Sequence, residues 1–289
     1  MNTHLKKLLW TGVAMAMAGA AQAAPITTWT VDVDTVFLEN TIVANPGLPG
    51  VTFVSDYELQ WGAPATDAGD SGLLIGVGAA LPPVETKVDT NGPIVPNVDI
   101  THRNNPIFAN TGSLLEVVIA STLTLTPFDP AGLGFPPQTI EFLVNFFETP
   151  NDPPGGICAD GTLNGEGLNI NGCADIFVID QNSINFNFKY PDIGGDTPGF
   201  ERDYFISFIE VTEGLKPLPA AACNAVAGVT APCLGFRTPE EDTTTFQFGA
   251  LITTDPVSFI PEPGTLALLG LGLGALGLGL RRRRSHIEA

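Results

Sequence analysis

Over 289 residues, 31 acidic side chains face 12 basic ones, a formal charge of −19. A surface of that sign repels nucleic-acid phosphates and anionic lipid headgroups, which excludes nucleic-acid binding. The length suffices for one large core, and the many glycines and prolines disfavour a helical fold.

The chain opens with a secretory pattern. Lys6 and Lys7 give a positive start, Leu8 to Ala21 is an uncharged apolar run, and Ala21-Gln22-Ala23 supplies small residues for cleavage after Ala23. The run is short for a membrane anchor and ends without a stop-transfer charge cluster. Residues 1–23 are therefore assigned to a removable signal peptide. Lys6, Lys7 and Arg281 to Arg284 hold half of the basic residues, so the body from residue 24 to 262 carries 30 acids against 6 bases, a charge of −24.

From residue 24 to 258 the apolar residues recur with period two, as half-buried strands require. Trp29, Val31 and Val33 alternate with Thr30, Asp32 and Asp34. Val51, Phe53, Tyr57, Leu59 and Trp61 share a parity. So do Leu115, Val117, Ile119, Leu123 and Leu125, then Ile140, Phe142, Val144 and Phe146, then Ile184, Phe186, Phe188 and Tyr190, and last Phe246, Phe248, Ala250 and Ile252. Asp175 to Gln181 and Asp203 to Val211 read as strands covered on both faces. Asn91-Gly92, Asp160-Gly161, Asn164-Gly165 and Asn171-Gly172 supply turns, and Gly47 to Gly50, Leu81 to Pro83 and Gly132 to Pro137 read as loops. The fold class expected is all-β, a single β-sandwich, with the jelly roll as one form of it. Trp29 and Trp61 read as core residues, and Thr253 to Ser258 as a linker.

Three segments inside the body carry candidate chemistry. Gly69-Asp70-Ser71-Gly72 is similar to the nucleophile segment of chymotrypsin-type proteases. However, the body's lone histidine follows the serine instead of preceding it, and Leu73 and Leu74 stand where a glycine and a proline belong; a serine without a base is not activated. Thr101-His102-Arg103-Asn104-Asn105-Pro106 has two readings. Its hydroxyl, imidazole, guanidinium and amides suit a sugar or, through His102, a metal. Alternatively Asn104 and Asn105 form a turn before Pro106, with Thr101 and His102 bonding nearby backbone; turn chemistry alone accounts for the string. Asp32, Asp34, Asp67, Asp70, Asp152, Asp160 and Asp175 are oxygen donors for weak Ca²⁺ binding, although no helix-loop-helix calcium pattern is present. No other cofactor is expected. A two-carboxylate glycosidase needs only a pair of acids, and no pattern singles one out.

Cys158, Cys173, Cys223 and Cys233 are even in number in an exported chain, which predicts two disulfides. Three pairings are possible. The local ones, Cys158 with Cys173 and Cys223 with Cys233, are preferred because each lies within one connection between strands. Neither has the spacing of a metal site.

The chain closes on Pro261-Glu262-Pro263, the uncharged Thr265 to Leu280, and Arg281, Arg282, Arg283 and Arg284. Those sixteen apolar residues span about 24 Å as a transmembrane helix, and the arginines hold its end in the cytoplasm. In this order, residues 259–289 resemble the PEP-CTERM sorting signal of exopolysaccharide-producing Gram-negative bacteria. The resemblance implies an exosortase, a membrane transpeptidase, as partner, and anchoring in the inner membrane before transfer to the cell surface or matrix. Thr101-His102-Arg103-Asn104 together with this tail resembles the THxN family of PEP-CTERM proteins, membership of which implies no activity. The sequence thus predicts a non-enzymatic structural or adhesive protein of the cell surface or exopolysaccharide matrix. A carbohydrate- or calcium-binding module and a secreted hydrolase stand as alternatives.

Overall fold

The computed structural model describes residues 24–48, 50–76, 81–179, 185–193, 201–212 and 214–257. The signal peptide and the sorting residues Pro261, Glu262, Pro263 and Arg281 to Arg284 lie outside them. The described residues up to Asp255 form one compact unit.

This unit is built from strands. In chain order they are β1 (Thr28–Phe37), β2 (Val43–Ala44), β3 (Thr52–Ser55), β4 (Glu58–Trp61), β5 (Ser71–Gly76), β6 (Val84–Asp89), β7 (Val95–Asn104), β8 (Leu114–Asp129), β9 (Gln138–Phe147), β10 (Asp175–Ile179), β11 (Asn185–Pro191), β12 (Glu201–Glu210), β13 (Lys216–Pro217), β14 (Leu234–Thr238) and β15 (Asp242–Thr253). One short helix, α1 (Ala220–Ala225), joins β13 to β14. The strands form two antiparallel sheets. One runs β13-β14-β10-β9-β8-β1-β6, with β2 on β8; the other runs β11-β12-β15-β7-β5-β4-β3.

The alternation expected from the sequence becomes the core. Along β1 every second residue is buried, from Trp29 through Val31 and Val33 to Phe37. These side chains meet Tyr204, Ile206, Phe246 and Ile252 of the other sheet in one apolar cluster, so the two sheets form a β-sandwich. β10 is buried along its whole length, as expected for a strand covered on both faces. Its Ile176 and Val178 pack into a second, smaller cluster with Leu218, Ala222, Cys223 and Val226, so α1 roofs the outer face of that sheet. β12 is covered in this way only around Ile206, Ser207 and Phe208.

Several expectations change. Val51 to Trp61 is two strands, β3 and β4, because the chain turns back at Asp56-Tyr57. The parity in β8 holds from Val117 onward, whereas Leu114 rather than Leu115 is the buried residue at its start. Ser71 and Gly72 open a strand. Leu81 to Pro83 form a loop as expected, and β6 follows it. Thr101 to Asn104 do not turn: they continue β7 in mid-sheet, paired with β5 on one side and β15 on the other. The sequence there reads as a turn because it is polar. In the fold the backbone ladders to β5 and β15 make a strand of it, and only the inward polar groups, His102 and Asn104, bond across the sandwich. Thr253, assigned to the linker, is the last residue of β15.

Both disulfides form with the local pairing: Cys158 with Cys173 at a Cα–Cα distance of 5.4 Å, and Cys223 with Cys233 at 5.8 Å. The first closes the long β9–β10 connection and the second fastens α1 to β14.

Candidate functional site

In β7 the side chains of Thr101-His102-Arg103-Asn104 point alternately out and in, so the four residues do two different jobs. His102 and Asn104 face inward and are fully buried. The Asn104 amide donates to the Thr238 carbonyl at 3.1 Å, and His102 Nδ1 lies 2.9 Å from the Thr238 hydroxyl. Thr238 ends β14, where the chain crosses from one sheet to the other to begin β15. His102 and Asn104 therefore fasten the corner that joins the two layers. The imidazole stacks on Trp61 with centroids 5.6 Å apart and meets Phe177 edge-on at 4.8 Å. Burial, and then the charge of Arg103, lowers its pKa to about 3, so it is neutral.

Thr101 and Arg103 face outward. The Thr101 hydroxyl pairs with that of Thr245 at 2.9 Å. Arg103 reaches across β5 to Glu58 on β4, an ion pair of 2.8 Å. It passes over Gly72, where a Cβ would stand 3.1 Å from the guanidinium and 2.5 Å from the Leu59 carbonyl. Only glycine fits there. Ser71 is also structural: its hydroxyl donates to the Asn105 carbonyl and accepts from the Asn105 amide.

Beneath Trp61 lies a group of acids. The β9–β10 register that pairs Phe147 with Ile176 sets Glu148 beside Asp175, and the pairing of Asp175 with Thr238 brings up Glu240 from the β14–β15 turn. One carboxylate oxygen from each lies within 4.8 Å of the others. The Trp61 indole N–H donates to Glu148 at 2.8 Å, and the Thr149 amide donates to Asp175 at 2.8 Å. The Thr149 hydroxyl donates to the Cys173 carbonyl, which ties the first disulfide to the same place.

All three carboxyls hold protons more tightly than usual. Burial pushes Glu148 up to about 8, with the Trp61 donor opposing and the charge of Glu240 adding to the rise. Burial raises Asp175 as well, assisted by Glu148. Glu240 rises to about 7 through burial and the charge of Glu241; the Asn151 side chain offsets part of this without reaching hydrogen-bond geometry.

Glu148 is half-buried and lines a cleft of about 350 Å³ together with Asn45, Phe108, Ser113, Asn151 and Asp152. Phe108 is 58% exposed, and it leaves an aromatic face beside amides, a hydroxyl and acids. Such a lining suits a polar ligand with one apolar face.

Of the acids considered for calcium, Asp175 alone joins this group. Asp160 is satisfied by Thr162 and by an ion pair with Arg237 that ties the first disulfide loop to β14. Its pKa is lowered: burial raises it, and the bonds from Thr162 and Arg237 outweigh that rise. Asp32 and Asp34 lie on the outward side of β1, and Asp67, Asp70 and Asp152 in connections. Glu148 and Glu240 were missed in the sequence. Their one local signal is an acid directly after a strand or in a turn, which many of this chain's acids share.

Residues 259–284 match the PEP-CTERM protein-sorting motif. That motif implies export, anchoring in the membrane and processing by an exosortase. No curated protein matches the sequence.

Proposed function

We propose that the chain is a non-enzymatic structural or adhesive protein of the cell surface or exopolysaccharide matrix, released from its anchor by cutting near Pro261-Glu262-Pro263. The sorting motif at 259–284 carries the reading. The body supports it. Two disulfides and a two-layer core suit an oxidising exterior, and a charge of −24 keeps the domain soluble among polymers. Thr101-His102-Arg103-Asn104, with the tail, favours a place in the THxN family. In this fold its inward pair clamps the two sheets and its outward pair stiffens one of them.

Intact-mass spectrometry of the protein from its host, combined with fractionation of the matrix, tests the proposal. The expected species begins after Ala23, ends near the Pro-Glu-Pro motif, gains about four mass units on reduction of two disulfides, and sits in the polymer fraction. A species that keeps its arginines, or remains in the periplasm, overturns it.

A second reading, a carbohydrate-binding module, is favoured by the cleft with Phe108 at its mouth. Retention on immobilised exopolysaccharide that is lost in Phe108→Ala supports this reading. Retention unchanged by that variant counts against it, and cleavage of the polymer would move the protein among the hydrolases.

A further inference from the structure

We propose that Glu148, Asp175 and Glu240 bind a single hard divalent cation, Ca²⁺ foremost, which enters from the Phe108 cleft. This goes beyond the proposed function and does not rest on the sorting reading.

Geometry carries the first part of the argument. Calcium–oxygen distances of about 2.4 Å place opposite ligands about 4.8 Å apart. The three carboxylate oxygens lie within 4.8 Å of one another, so one ion can touch all three. They come from three separate pieces of chain, the end of β9, the start of β10 and the β14–β15 turn, each held by sheet pairing or by the Thr238 clamp. Such a site is preorganised.

Hydrogen bonding carries the second part. Glu240 is 1% exposed, and neither of its oxygens has a hydrogen-bond partner. Asp175 is fully buried and its Oδ2 also lacks one. Buried carboxyl oxygens are costly unless bonded. Other acids in this protein are satisfied: Asp160 by Arg237 and Thr162, Asp192 by Arg202. No ion pair of the described residues involves Glu148, Asp175 or Glu240. The oxygens of Glu240 and Asp175 are directed into the group and left for a ligand.

Chemistry selects the ligand. A site of carboxylate oxygens without sulfur or imidazole suits Ca²⁺, Mg²⁺ or Mn²⁺ over softer metals. The cleft gives water access at Glu148 to complete the coordination, and the exposed Asp152 on its wall draws cations inward.

The test uses the full chain in mild detergent, freed of metal with a chelator and titrated with Ca²⁺, Mg²⁺ or Mn²⁺ by calorimetry and by thermal melting. One ion per chain with a raised Tm is expected. Glu240→Gln should weaken binding by about tenfold or more, since losing even an indirect ligand contact costs that much. In chelator it should melt no lower than the wild type, which shows that it folds. Glu141→Gln, an exposed acid on the outer side of β9, should bind like the wild type. If none of the three ions binds or shifts Tm, or if Glu240→Gln binds as tightly as the wild type, the proposal is wrong.

Discussion

Trp29 and Trp61 sit at inward positions of different sheets, 0% and 2% exposed, each in an aromatic nest. Around Trp29 the partners are Phe188, Tyr190 and Tyr204, all edge-on with centroids 5.0 to 5.4 Å away. Its indole N–H ends on the neutral Thr90 hydroxyl, which passes the bond on to the Ile26 carbonyl. Around Trp61 one partner is an imidazole, and the N–H ends on Glu148. The Trp29 nest is closed: its indole N–H meets a neutral acceptor and the chain of bonds ends on backbone. The Trp61 nest is open, because its bond ends on a carboxyl with two further acids behind it and a cleft in front. Aromatic packing of the same kind thus holds the fold at one place and borders the group of buried acids at the other.

The largest effect should come from emptying the closed nest. Trp29→Ala removes a fully buried ring and should cost about 3–5 kcal/mol in denaturant unfolding. A loss below about 1 kcal/mol would mean that the ring does not pack as described.

A smaller effect separates the nests by pH. Glu148, Glu240 and Asp175 have folded pKa values above their unfolded ones, so they destabilise the fold as they ionise. With metal chelated, Tm should fall as pH rises from about 4.5, the ordinary carboxyl value, to about 8. His102 has the opposite sign. Its pKa of about 3 lies below the ordinary 6.5, so stability is lost as pH falls from about 6.5 toward 3. Glu148→Gln should flatten the alkaline limb and leave the acid limb in place. An unchanged alkaline limb would show that the acids are not buried together.

The smallest effect concerns the outward face of β7. Arg103→Ala breaks a half-exposed ion pair and should cost about 0.2–1 kcal/mol, less at high salt. A much larger loss would place the guanidinium within the site's support rather than on the sheet surface.

The contrast between the nests also shows what could be read in advance. Trp29 and Trp61 are legible as core residues because alternation is a local property: a strand with one face inward must bury every second side chain. Glu148, Asp175 and Glu240 are not legible, since each is an ordinary acid among many and only strand register makes them neighbours. Thr101 to Asn104 misled for a related reason. Local polarity suggested a turn, yet ladders to β5 and β15 make it a strand, and its inward side chains bond Thr238, which is 136 residues away from His102.

The sequence by itself determined the all-β class, most of the long strands and the sorting tail, because each is written in spacing over a few to some thirty residues; it favoured the local disulfides, and the structure fixed their pairing. The tertiary structure alone decided which acids meet, why His102 is neutral, and that Gly72 lies beneath Arg103. These depend on register and on the crossing of the chain between sheets, and both are set by the packing of the whole sandwich.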